Sequence, residues 1–422
     1  KLSNPYITTD FSESQLEMIT PTYSTVEEAY QSLSVLYQLT VSELGDEYLW
    51  PQSMPCKLQV GQDIPIANYQ GSDKGKELMD YRQFLLDKYG AKKQLISGLH
   101  YNFSFSEDLL KKLYKLAASS LDYQLFKDQI YLKIVRQYIR YRWLLVYLFG
   151  ASSVFDESYM QEGMDSSTSL PPFLEMDATS FRNSPYGYQN QSPIYVDYTD
   201  VSHYVRSLGE FIEQGEISSF KEFYSPIRLK AKNPLRLMES LVEEGIAYLE
   251  IRSIDLNPFE SVGVTLQDLQ FIHLFILALL ELDEIDSVNW QQEATENETR
   301  VALQGLTKNC LLVKSGQEVL LHELAQEMFK KMEELNQIFH FGLEESLAEK
   351  RNQLLNPHQT LAAKVKAQVL MSDYTQLNMQ LAKEHKLKMK ESLLSSSRLE
   401  HLNLHHFMFS KELVQAEQSL EG

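Results

Sequence analysis

Ala247–Leu256, AYLEIRSIDL, alternates apolar and polar residues and reads as a β-strand with Tyr248, Glu250, Arg252 and Ile254 on one face. Leu95–Phe105, LISGLHYNFSF, alternates in the same way. Leu95, Leu99, Tyr101, Phe103 and Phe105 fall on one face, and Ile96, Gly98, His100, Asn102 and Ser104 on the other. A strand with one apolar face and one small, polar, imidazole-bearing face packs on a core and opens towards something polar. Two such strands, far apart in the chain, point to a sheet-bearing core within residues 1–262.

Working outward, Gln15–Thr20 (QLEMIT) reads as a short strand stopped by Pro21. Thr25–Leu44 carries apolar residues at helical spacing behind a Thr25/Glu28 capping box. Leu121–Phe149 predicts a long helix, whose Arg136, Arg140 and Arg142 keep it out of a membrane. Ala151–Pro172 reads as a loop, and beyond Val264 the pattern is almost entirely helical to about Arg398. The expected class is α+β: a sheet-bearing core with packed helices over 1–262, and a mainly helical part of the same module over 263–422.

Bulk properties narrow the function. A net charge of −19 argues against nucleic acid or an anionic membrane as partner, because phosphates are bound by an excess of Lys and Arg. The longest apolar runs, Trp143–Phe149 and Phe271–Leu280, fall short of the ~20 residues of a membrane span. Lys1–Phe11 lacks a charged-then-apolar signal pattern, and Cys56 and Cys310 read as two reduced thiols, so the expectation is a cytoplasmic protein.

Four segments hold chemistry-bearing groups: Asp10, Glu13 and Glu17 in ITTDFSESQLEMITP; His100 and Asn102; Arg182, Asn183, Tyr186 and Tyr188 in ATSFRNSPYGYQNQS; and Glu250, Arg252, Asp255 and Asn257 in YLEIRSIDLNPF. Asp10 and Glu17 have opposite parity, so sharing a site requires a turn or bulge near Ser12–Ser14. Carboxylates with one histidine suit Mg²⁺ or Mn²⁺, and an arginine beside a metal-binding glutamate suits a phosphate or carboxylate. Singly, each group has a plainer explanation: a structural strand histidine, a cross-strand ion pair, a turn cap, packing tyrosines. Walker A, Gly-rich dinucleotide and HExxH motifs do not occur.

Together, TTDFSESQLEMITP, LWPQSMPC (Leu49–Cys56), GQDIPIANYQ, YRQFLLDKYG, QLISGLHYNFS, RWLLVYLFGAS, DATSFRNSPYGY and EIRSIDLNPF resemble, in order, the bacterial glutamate–cysteine ligases. SFRNSPYGY and KEFYSPIR (Lys221–Arg228) resemble most the ligase half of bifunctional glutathione synthases, where an ATP-grasp module follows. The resemblance implies a glutamine-synthetase-like funnel built on a curved, mainly antiparallel sheet. It implies ATP-dependent joining of the L-glutamate side-chain carboxylate to the L-cysteine amine through a γ-glutamyl phosphate. By motif, it implies Asp10, Glu17, His100 and Glu250 as Mg²⁺ ligands and Arg252, with Glu250, at the transferred phosphate. Arg182, Gln94 and Ile96 are implied to form the glutamate pocket, and Phe11, Tyr81 and Tyr188 the cysteine pocket. The family also carries a Gly-x-Glu-x-Glu strand ahead of TTDF that supplies two further metal ligands, so such a strand is expected before Lys1 in the full protein. Two other readings are an amine acceptor other than cysteine and an inactive module of the same fold; whether the protein is a homodimer is left open.

Overall fold

The computed structural model describes residues 4–59, 63–69, 71–160, 176–284 and 288–395. It opens with an antiparallel hairpin, β1 (Ile7–Thr9) and β2 (Leu16–Met18), in which Thr8 faces Glu17. The turn between them is closed by Asp10 N–H donating to Gln15 O (3.0 Å) and Ser12 N–H donating to Gln15 Oε1 (3.0 Å). The turn expected at Ser12–Ser14 is therefore present, and it returns Glu17 to the end of the hairpin that bears Asp10.

Helix α1 (Val26–Glu43) starts at the expected cap: Thr25 Oγ1 accepts from Glu28 N–H at 3.2 Å. The Glu28 carboxylate accepts from the Thr25 hydroxyl at 3.0 Å, closing the pair by a different route from the full capping box. Helices α2 (Asp73–Tyr89) and α3 (Ala91–Gln94) lead into β3 (Leu99–Phe103), which is shorter than the alternation over 95–105 suggests. Then come α4 (Glu107–Ala117), α5 (Tyr123–Phe149), α6 (Val201–Glu213), β4 (Ile227–Lys230), α7 (Leu237–Glu244) and β5 (Tyr248–Ile254). The loop expected at Ala151–Pro172 holds a single 3₁₀ turn at Glu157–Tyr159; from residue 161 onward it lies outside the described residues.

Strands β3, β5 and β4 form an antiparallel sheet with β5 in the middle. Leu249 and Ile251 point to the core, facing Phe103 and Leu229, and Tyr101 and Ile227, on the neighbouring strands. That face lies on α5, whose Tyr138 hydroxyl meets Ser253 Oγ at 2.5 Å. The last two turns of α5, Trp143–Phe149, are apolar and buried all round, so they are enclosed rather than laid on a surface. Fully burying each such side chain contributes about 1.5–3 kcal/mol.

The alternation on β5 is not unbroken. Tyr101 pairs with Ile251 but Leu99 pairs with Ile254, so β5 carries one extra residue opposite His100. This bulge turns Ile254 into the core, at 1 % exposure, instead of leaving it on the polar face with Glu250 and Arg252.

After β5 come α8 (Leu266–Leu279), α9 (Trp290–Gln304), α10 (Leu321–Phe339), α11 (Glu344–Leu355), α12 (Leu361–Met371) and α13 (Tyr374–Ser395). The expected helical run is interrupted by a hairpin of β6 (Leu311–Lys314) and β7 (Gln317–Leu320). Ser315 and Gly316 both have positive φ (52° and 77°), the two-residue loop whose twist matches paired strands. Asn297 of α9 holds the hairpin, donating from Nδ2 to Val313 O (2.7 Å) and accepting from Val313 N–H (2.6 Å). The continuation to Arg398 lies outside the described residues beyond 395. Among the described residues no helix is long and apolar enough to cross a membrane.

Candidate active site

The polar face of the central sheet is built around Glu250. In register with it stand Asn102 on β3 and Arg228 on β4, so all three project to the same side. The Glu250 carboxylate accepts from Arg252 Nη1 at 2.5 Å, has His100 Nδ1 at 3.5 Å, and is met on its other oxygen by Lys230 Nζ. Burial pushes this carboxyl up, but Arg252 and Lys230 outweigh burial and hold its pKa at about 2. His100 is lowered to about 3, by burial and then by Arg252, with Arg182 and Arg228 adding to the effect. Its imidazole is therefore neutral, and its contact with Glu250 is not an ion pair.

The amino-terminal hairpin brings further carboxylates. Burial raises the Asp10 pKa against the pull of Arg82 and Arg252. Glu17 is raised to about 7, first by burial and then by repulsion from Asp10 and Glu250. Arg82 fixes the start of the turn, donating from Nε to Asp10 O (2.7 Å) and from Nη2 to the Tyr69 hydroxyl (3.0 Å). The structure thus places His100 beside Glu250 and sets Glu17 within electrostatic reach of both Asp10 and Glu250. Among the described residues no group of three or more His, Cys, Asp or Glu side chains converges as a ligand set. The donor types, carboxylate oxygens with one neutral imidazole, fit a hard divalent cation, and the mutual repulsion around Glu17 is what such a cation would relieve.

Arg182 occupies the loop beside β5. Its Nη2 donates to the Arg252 carbonyl, and its Nη1 lies 3.5 Å from Asp255 Oδ1 without a hydrogen bond. Asp255 is itself anchored: its Oδ2 accepts from Ala151 N–H (2.9 Å), Ser152 N–H (2.9 Å) and Ser152 Oγ (2.6 Å). A Cβ on Gly98 would fall 2.2 Å from Arg182 Nη2, so glycine leaves the slot in which the guanidinium lies. Gln94 accepts on its carbonyl from Gln15 Nε2 (3.1 Å), and Ile96 packs against the cluster around Phe181. Gln94 Nε2, Arg182 Nη1 and Arg252 Nε are buried donors with no hydrogen-bond partner, an arrangement suited to an acidic ligand.

Phe11, Tyr81 and Tyr188 meet in one apolar cluster with Leu85 and Tyr89. The Tyr188 ring lies 5.2 Å from that of Tyr89 and 5.5 Å from that of Tyr224. Burial pushes the Tyr81 hydroxyl to about 12 and that of Tyr188 higher still, so both phenols stay neutral. Sequence reasoning missed Arg82, Tyr89, Glu222, Arg228 and Lys230. The alternation of Arg228 and Lys230 in IRLK was a usable signal for the last two; nothing local marks the others.

The family model for glutamate-cysteine ligase matches residues 1–219 and 214–301. The chain belongs to the glutamate–cysteine ligase family. It is 33% identical over 429 residues to the glutamate–cysteine ligase of Shewanella pealeana, covering 92% of this chain and 82% of that one. It is 40% identical over 390 residues to the glutathione biosynthesis bifunctional protein of Clostridium perfringens, covering 90% of this chain and 50% of the relative. The chain therefore spans about half the length of the bifunctional relatives it matches. Among solved structures, the glutamate–cysteine ligase of Francisella tularensis in complex with AMP superposes with a TM-score of 0.86 at 27% identity, over 100% of this chain and 88% of that one. The bifunctional glutathione synthetase of Pasteurella multocida superposes with a TM-score of 0.78 at 30% identity, over 92% of this chain and 48% of that one.

Proposed function

We propose that this ligase-family chain joins the side-chain carboxylate of L-glutamate to the amine of L-cysteine at the expense of ATP, a step of glutathione biosynthesis. The observation that carries the reading is the Glu250 face: a carboxylate–imidazole pair beside Arg252, with Arg182 held on the Arg252 carbonyl and its Nη1 making no hydrogen bond. The γ-phosphoryl group passes to a glutamate side-chain oxygen, releasing ADP. The amine then attacks the acyl carbon, phosphate leaves, the amide forms and the ammonium gives up a proton.

Each residue set has a part in this. Arg182, with Gln94 and Ile96, holds the glutamate. Arg252 faces the transferring phosphoryl group, where its guanidinium stabilises developing charge. Phe11, Tyr81 and Tyr188 surround the cysteine side chain, a suitable wall for a small polarisable thiol. Asp10, Glu17, His100 and Glu250 would hold Mg²⁺, which offsets phosphate charge. In this reading the polar face of the β3–β5–β4 sheet lines part of a glutamine-synthetase-like funnel, and a glutathione synthetase module accompanies the ligase in the full-length protein.

The test is ADP release by the full-length protein. Release that requires glutamate and cysteine together is the expected result. Release with glutamate and another amine, but not cysteine, would transfer the reading to a different acceptor, and no release with any amine would overturn it.

A further inference from the structure

The aromatic cluster assigned above to the cysteine side chain is built from separate chain segments. Tyr81 and Tyr89 stand on α2, whereas Tyr188 lies in the loop after Arg182. Two direct bonds join these segments, Asn190 Nδ2 to the Tyr89 hydroxyl (3.4 Å) and Gln191 Nε2 to the Lys88 carbonyl (3.1 Å), and the buried tie between them is Glu222, whose side chain is completely enclosed. Its Oε1 accepts from two groups of α2, Lys88 Nζ (2.5 Å) and the Tyr89 hydroxyl (2.5 Å). Its Oε2 accepts from Ser218 N–H at 2.6 Å. Its main-chain carbonyl accepts from Asn190 Nδ2 at 3.0 Å, and Asn190 Oδ1 accepts from Tyr224 N–H at 2.8 Å. One residue therefore ties α2 to the loop carrying Tyr188, whose ring packs between those of Tyr89 and Tyr224.

A buried ion pair is a poor source of stability, because desolvating both charges offsets most of their attraction. Its value lies in geometry, since its directional bonds fix where each donor stands. We infer that Glu222 is a positioning residue that sets the width of the Tyr81–Tyr188 slot and thereby the selectivity for the amine acceptor. This rests on the ligase reading above and adds to it the group that fixes acceptor choice. Glu222 touches no substrate in this account; it acts through Tyr89 and Asn190.

The experiment uses the full-length protein, its Glu222→Gln variant and its Tyr89→Phe variant, which keeps the ring and removes one donor. KM values are measured for cysteine, glutamate and ATP, and kcat/KM is compared for cysteine and 2-aminobutyrate, which replaces the thiol by a methyl group. Glu222→Gln is expected to raise the KM for cysteine about tenfold and to shrink the cysteine preference, leaving the other two KM values within about twofold. Tyr89→Phe is expected to move the same constants in the same direction by a smaller factor, and it decides the matter alone if Glu222→Gln does not fold. Equal increases in all three KM values, or lower thermal stability with unchanged selectivity, overturn the inference. Wild-type protein without cysteine-dependent ADP release defeats the ligase reading and this inference with it; active wild type with unmoved variants defeats the inference alone.

Discussion

Gly98 governs where the Arg182 guanidinium can lie. A methyl group there would fall 2.2 Å from Nη2, in a slot closed on other sides by the Arg252 carbonyl and Asp255. Gly98→Ala is therefore expected to displace Arg182 and raise the KM for glutamate by about tenfold or more, roughly 1.4 kcal/mol of binding. Steady-state kinetics check it, and an unchanged glutamate KM would show that Arg182 does not hold this substrate. Glu17 carries a second residue-scale consequence. Its folded-state pKa of about 7 exceeds the ordinary 4.5, so the unfolded chain loses this proton first. Stability contributed by the protonated carboxyl is present at low pH and is lost as pH rises from about 4.5 to about 7. In buffer containing a chelator, Glu17→Gln is expected to match the wild type near pH ~4 and exceed it near pH ~8. Parallel melting-temperature curves for the two proteins across that range would count against the repulsive carboxylate cluster.

Among elements, α1 shows a local signal acting as it reads. Thr25 accepts from Glu28 N–H, so Thr25→Ala leaves a helix donor without its cap and is expected to cost about 1 kcal/mol in denaturant unfolding. A change below a few tenths would mean that water replaces the cap at no cost. β5 shows the opposite case. Its alternation correctly sets Glu250 and Arg252 on one face, yet the bulge opposite His100 moves Ile254 to the other. Such a bulge arises from pairing with a strand about 150 residues away, and local alternation does not contain it. The β6–β7 hairpin lies between these cases. Ser315-Gly316 is a turn signal, but its strands are short and set within amphipathic helical segments that mask their period.

At the scale of the whole molecule, one apolar core joins α5, the inner face of the sheet and helices α8, α9 and α10. The outer face of that sheet is left to polar groups, and the site forms there because the core occupies the other side. The sequence by itself determined the α+β class, the strand faces bearing His100, Glu250 and Arg252, the α1 cap and the family, because strand parity, capping and long ordered motifs are local properties. Tertiary structure decided what no window of sequence contains. It placed Lys230 and His100 on one carboxylate, set Asp10 near Glu17 across a turn, and fitted the Arg182 guanidinium against Gly98. The physical reason is that charge proximity and steric fit depend on distances between segments remote in sequence, and packing of the core sets those distances.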